Sequence, residues 1–154
     1  MGDPRAFLTV ERQDLPKRDP AERTADWGEV EGRMPAEALA KQGERCMDCG
    51  VPFCHTGCPL GNHIPDWNEA VAAGRGREAW QRLEETNNFP EVTGRICPAP
   101  CEDACVLALH GSPVSIRAIE RQVADAAFAR GWIEPRPAPR STGRTVAVVG
   151  SGPA

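Results

Sequence analysis

Apolar residues recur at helical spacing in several stretches of this 154-residue chain, and one short β-branched run closes it. "PAEALAKQGERC" predicts a helix with Pro35 in its first turn and basic residues toward its end, delivering the chain to Cys46. "IPDWNEAVAAG" and "GREAWQRLEETNN" predict a helical pair, broken at Gly74 and Gly76, with Trp67, Val71, Trp80 and Leu83 as its packing face. "SIRAIERQVADAAFARG" predicts a further helix, with Ser115 as N-cap, Gly131 as its stop, and an apolar stripe of Ile116, Ile119, Val123 and Ala127. Before these, Pro4, Pro16 and Pro20 block long helices, so residues 1–34 read as an extended arm. Its sparse apolar residues, Phe7, Leu8, Val10, Trp27 and Val30, suit a segment that lies over another surface. "NFPEVTGRICPAP" reads as a loop and "WIEPRPAPRSTG" as a linker. The expected organisation is an arm over 1–34, a helical domain over 35–134, a proline-rich linker over 135–144, and a strand with a glycine-rich turn over 145–154.

Composition makes that helical domain look short of core. Leu, Ile, Val and Phe together supply 27 residues, while Gly and Pro supply 15 each. Chains this poor in large apolar groups commonly lean on disulfides or metal centres. Net charge is −4 with both signs well mixed, which gives nucleic-acid binding no electrostatic support. No run approaches the roughly 18 apolar residues of a membrane span, and the opening "MGDPRAFLTVERQDLPKRDP" lacks the apolar region of a signal peptide. The expectation is a cytoplasmic protein with no membrane partner. In a reducing cytosol, clustered cysteines point to metal or redox chemistry, and an odd count of seven argues against a closed disulfide set.

The seven fall in two runs. "CMDCGVPFCHTGCP" is C-x2-C-x4-C-x3-C followed by Pro59, and "CPAPCEDAC" adds Cys97, Cys101 and Cys105. Three closely spaced thiolates on a loop can wrap one face of an iron–sulfur cube, while a fourth, one helical turn on, points elsewhere. Two-cluster ferredoxins follow this logic with a similar run ending in Cys-Pro, whose last cysteine serves the other cluster. On that reading Cys46, Cys49 and Cys54 begin one [4Fe–4S] site, which Cys105 completes by crossing back. Cys58 joins Cys97 and Cys101 on a second. Structural zinc remains an alternative, although it prefers two separated C-x2-C knuckles and only one such pair is present. A single cluster with three unrelated cysteines also stays open, but it leaves an ordered second run idle.

Two cubes need eight ligands. His55 and His63 are candidates by chemistry, although His55 is wedged between Cys54 and Cys58. Glu120 is the better candidate. At 3.6 residues per turn it falls within the apolar stripe of the last helix, and a carboxylate on a buried face needs a partner. The competing role is a salt bridge, for instance to Arg117 or Arg121.

"TVAVVGSGPA" runs an apolar strand straight into G-x-G, the way a dinucleotide-binding βαβ unit begins. The third glycine and the acid that would hold a ribose do not occur by Ala154, so the chain reads as a fragment stopping at the first turn of a flavin- or nicotinamide-binding domain. As it stands, it is expected to bind neither cofactor well and not to be catalytic.

In order, "GDPRAFL", the four-cysteine loop, "GNHIPDWNEAV", "TNNFPEVTGRICPAPCEDAC", "SIRAIER" and "VAVVGSGPA" resemble the small (beta) subunit family of NADPH-dependent glutamate synthase, over essentially the whole chain. The same N-terminal module occurs in dihydropyrimidine dehydrogenase. The resemblance implies a mainly α fold: a two-cluster, α-helical ferredoxin-like domain followed by the start of a Rossmann-type FAD domain. It implies that NADPH reduces FAD in the full-length protein and that electrons pass through two [4Fe–4S] clusters to the large subunit of a hetero-oligomer, for glutamate synthesis from glutamine and 2-oxoglutarate. It carries over Cys46, Cys49, Cys54 and Cys105 to one cluster, and Cys58, Cys97 and Cys101 to the other. The family's non-cysteine ligand, a glutamine in the pyrimidine enzyme, falls at Glu120. Gly150, Ser151, Gly152, Pro153 and Ala154 match the start of the FAD loop. A related pyrimidine-reducing flavoenzyme is the alternative.

Overall fold

The computed structural model describes Asp3 and residues 5–150, and among these the only β pairing is one isolated antiparallel bridge between Lys17 and Glu31. The predicted helices are present as α3 (Ala36–Glu44), α5 (Ile64–Ala72), α6 (Gly76–Glu84) and α9 (Ile116–Ala129). Short helices α4 (Phe53–Gly57), α7 (Pro90–Ile96) and α8 (Pro100–Asp103) carry the cysteine segments, and α1 (Ala6–Thr9) and α2 (Pro20–Arg23) are single turns in the arm.

The expected packing faces build the core. Ile64, Trp67, Trp80, Leu83, Ile116, Ile119 and Val123 bury together, with Ala70, Ala79, Ala124 and Ala127 between them. Those alanines let the helices approach closely, so a core with few large residues is still continuous. Helix α9 runs through the body and is buried on nearly all sides. A helix in that position needs an answer for each polar side chain. Gln122 exchanges two hydrogen bonds with the backbone of Met34, at 2.7 and 3.0 Å. Arg121 pairs with Glu29 at 3.1 Å and Glu31 at 3.0 Å, and Asp125 accepts from Arg95 at 3.0 Å.

The same ties dock the arm. From α3, Gln42 accepts from Gln13 N and donates to Glu11 O, both at 3.0 Å. Ala6, Leu15 and Met34 are the arm's buried apolar residues, whereas Leu8, Trp27 and Val30 stand exposed. The arm therefore lies over the body as expected, but through polar contacts more than through the apolar residues the pattern suggested.

Three local expectations are sharpened or changed. Pro20, expected to block long helices, starts only the single turn α2, at a position where its missing N–H costs nothing, with the Asp19 carboxylate capping Ala21 N. The expected loop before the second cysteine run contains α7, which opens on Pro90 and packs along α9. Gly94 permits this approach, since a Cβ there would sit 2.8 Å from the Arg121 Cα and Cβ. Ser115 occupies the N-cap position of α9, but its hydroxyl donates to Gln13 O at 2.8 Å and leaves the helix end uncapped by its side chain.

Beyond Ile133 the chain is exposed and lacks regular structure as far as Gly150. The strand expected over 145–149 is not formed, because no neighbouring strand among the described residues receives its hydrogen bonds. Exposed Gly150 has φ 101°. Ser151, Gly152, Pro153 and Ala154 lie outside the described residues.

A candidate metal centre in two parts

Helix α3 ends at Glu44 and sets Cys46 in the lining of a small cavity. The cysteines lining it are Cys46, Cys49, Cys54 and Cys105; Cys58 is not among them. Phe53, Ile64, Leu107, Val114 and Ile116 supply apolar wall. Asp48, two residues after Cys46, is left-handed at φ 48°, which turns the loop and brings its own N–H toward the Cys46 sulfur. Burial pushes the Cys46 thiol up, against the pull of that N–H and of the Asn68 amide. Cys54 is pushed up to about 11, by burial first and then by Cys46 and Cys105. Thiols crowded in this way resist ionising together unless a cationic core sits among them.

The second group assembles around Cys101, which is buried on α8. Burial raises its thiol far above the ordinary range, reinforced in turn by Cys58, Glu102, Glu120 and Cys97. Cys58 reaches this group because α4 presses on α8: a Cβ on Gly57 would lie 2.5 Å from Ala104 Cβ. One turn earlier on α4, Cys54 faces the first cavity. Ala99, two residues after Cys97, is left-handed at φ 59°, and its N–H donates to Cys97 Sγ at 3.4 Å. Asp48 and Ala99 are the only non-glycine residues with positive φ among those described.

Glu120 is 6% exposed, and burial raises its carboxyl to about 6 against the pull of Thr93, Arg117 and Asn87. Thr93 Oγ1 and Asn87 Nδ2 both donate to Oε1, the second at 3.3 Å, and Oε2 has no hydrogen bond among the described residues. No salt bridge forms at Glu120 among the described residues. Arg117 and Arg121 pair with Glu31 at 3.1 and 3.0 Å instead.

Two tests bear on whether iron–sulfur cubes fit here. Asn68 is fully buried on the wall of the first cavity, and neither Nδ2 nor Oδ1 has a hydrogen-bond partner. Its amide steadies the Cys46 thiolate electrostatically without reaching regular hydrogen-bond geometry, and leaving such a group unmatched typically costs about 1–3 kcal/mol. Cluster sulfur would supply the acceptor. Second, among the described residues no three His, Cys, Asp or Glu side chains converge closely enough for a single ion. Zinc requires that convergence, whereas a cube spreads its thiolates over four iron corners. Donor set and orphaned amide fit the cube.

His55 Nε2 is buried with no hydrogen-bond partner among the described residues. His55 and His63 face each other with ring centroids 5.5 Å apart, His63 lies 3.5 Å from Glu85, and neither lines the cavity. Sequence reasoning passed over Asn68, Asn87 and Thr93. Asn68 was findable, since it sits four residues after Ile64 within the apolar stripe of α5, the same signal that exposed Glu120. Thr93 gave none while its segment read as loop. No helix among the described residues is long and apolar enough to cross a membrane.

Comparison with known proteins bears out the resemblance drawn from the motifs. The family profile described as dihydropyrimidine dehydrogenase domain II, 4Fe-4S cluster, matches residues 23–132. A glutamate synthase [NADPH] small chain of Mycobacterium tuberculosis (strain CDC 1551 / Oshkosh) is 57% identical over 155 aligned positions, covering 100% of this chain and 32% of the relative. Its counterpart in Bacillus subtilis (strain 168) is 50% identical, over 100% of this chain and 33% of the relative. A glutamate synthase [NADH] of Schizosaccharomyces pombe is 49% identical over 97% of this chain and 7% of its own length. The chain thus spans about a third of the bacterial relatives it matches.

Proposed function

From a chain that belongs to the family of dihydropyrimidine dehydrogenase domain II, 4Fe-4S cluster, we propose the electron-transfer module of a glutamate synthase small chain, built around two [4Fe–4S] clusters. Cys46, Cys49, Cys54 and Cys105 hold one, and Cys58, Cys97, Cys101 and Glu120 hold the other. Each cluster, when bound, accepts and passes on one electron at a time. The chain's own residues set the two sites side by side: α4 sends Cys54 to one and Cys58 to the other. Apolar walls around the first site exclude water, and the left-handed turns at Asp48 and Ala99 aim N–H groups at sulfur.

In the longer protein, the remaining two thirds bind FAD and NADPH, and the electrons leave for the large subunit of a cytoplasmic hetero-oligomer. The overall reaction is one glutamine, one 2-oxoglutarate, NADPH and a proton giving two glutamates and NADP⁺. Glutamate synthase is favoured over a pyrimidine-reducing enzyme because the family profile begins at residue 23, whereas the glutamate synthase relatives also match the arm before it. The observation that carries the reading is the sorting of seven thiols into two spatial groups that cross in sequence. Iron and acid-labile sulfide analysis of the full-length subunit, purified without oxygen, tests it. About eight of each per chain is expected for two cubes; about four of each, or stoichiometric zinc, overturns it.

A further inference from the structure

Glu120 is held, not merely buried. Asn87, 2% exposed, donates from Nδ2 to Thr93 Oγ1 at 2.8 Å and to Glu120 Oε1 at 3.3 Å, while its Oδ1 accepts from Phe89 N at 3.0 Å. A threonine hydroxyl has one proton to give. With Asn87 donating to that oxygen, the proton is directed at the Glu120 carboxylate, a stronger acceptor than the Phe89 carbonyl 3.2 Å away. The arrangement exists because α7 can press on α9 at Gly94, the residue next to Thr93. Both donors converge on one carboxylate oxygen, and among the described residues the other has no hydrogen bond.

We infer that Thr93 and Asn87 are positioning residues, which occupy Oε1 of Glu120 and so present Oε2 alone to the second cluster. This rests on the proposal that Glu120 is a ligand. A carboxylate free to rotate offers either oxygen, or both, to iron. Pinning one makes the ligation monodentate and fixes its direction, as outer hydrogen-bond partners do for other metal ligands. It also sets this site apart from the thiolate-only site, where no such rotation exists.

The test uses the full-length holo-subunit with both clusters loaded, and compares Thr93→Val, which keeps the shape and removes the hydroxyl, with Thr93→Ser, which keeps the hydroxyl. Electron paramagnetic resonance of the reduced protein and the rate of iron loss to a chelator are the readouts. In Thr93→Val the second cluster should show an altered signal and lose iron about 10-fold faster or more, with the first cluster unchanged and Thr93→Ser close to wild type. A wild-type signal and release rate in Thr93→Val overturn the inference. So does loss of both clusters, which would mean that the hydroxyl merely holds α7 on α9. Glu120→Ala, run in parallel, separates the two levels. If it loses the second cluster while Thr93→Val does not, the positioning role falls and the ligand stands. If it keeps both clusters, the ligand itself falls, and the positioning role with it.

Discussion

The two cysteine groups are built alike at their entrances and differently at their backs. Each opens with a cysteine followed two residues later by a left-handed residue, Asp48 or Ala99, and each turns into a short helix, α4 or α8. Behind the first stand apolar side chains and one unmatched amide, Asn68. Behind the second stand a carboxylate, its two donors and, through Arg117 and Arg121, the arm's Glu31. The first site is closed by residues of its own loops and of α5, with Ile116 at the start of α9. The second is completed from α9, and reaches through α9 to α7 and the arm. A site finished by a distant helix inherits every contact that places that helix.

Disturbing the α7–α9 contact should therefore separate the two most sharply. Gly94→Val puts side-chain atoms where the Arg121 backbone lies and should cost about 3 kcal/mol or more, seen as a fall in denaturation midpoint. The second cluster should be lost and the first retained. Equal loss of both would mean that the back of the second site matters no more than the entrances.

Next in size is the arm. Glu31→Ala leaves the guanidinium of Arg121, 3% exposed, without one of its partners and should cost about 1.5–3 kcal/mol. Hydrogen exchange over residues 11–34 should rise, with the second site loosening before the first. Acid should act in the same direction. Burial alone would raise the Glu31 carboxyl, but Arg117 and Arg121 outweigh it and hold it below its ordinary 4.5. The clamp is thus fully present above pH 4.5 and fades as pH falls through the lower, folded value.

Asn68→Leu probes the other back wall. Removing an amide without partners should leave the stability of the cluster-free protein within about 1 kcal/mol of the original, or raise it, while the first cluster's reduction potential drops for want of a hydrogen bond to sulfur. A stability loss with unchanged potential would make Asn68 an ordinary packing residue. The smallest effect belongs to the entrances. Ala99→Gly relieves a left-handed alanine and should change stability by about 0.5–1 kcal/mol in the favourable direction, with no change at either cluster.

How much of this was legible depended on whether the signal was periodic. The four longer helices and their packing faces followed from spacing, because each buries one stripe that repeats along the chain. Glu120 stood out for the same reason, as an acid inside such a stripe. Helix α7 did not, since Pro90 and Gly94 are helix breakers by composition. Their fitness here, as a first-turn residue and as a point of close approach to Arg121, exists only once α9 is in place. The polar contacts that dock the arm were hidden likewise. Gln42 and Gln122 act as partners for its backbone, and nothing local marks a glutamine for that task.

The crossing of the two cysteine runs is the central claim, and anomalous scattering at the iron edge from crystals of the cluster-loaded protein tests it most directly. Two iron centres are expected, one bounded by the sulfurs of Cys46, Cys49, Cys54 and Cys105, the other by Cys58, Cys97, Cys101 and one carboxylate oxygen of Glu120. A centre enclosed by Cys46, Cys49, Cys54 and Cys58, with Cys105 beside Cys97 and Cys101, would contradict the account.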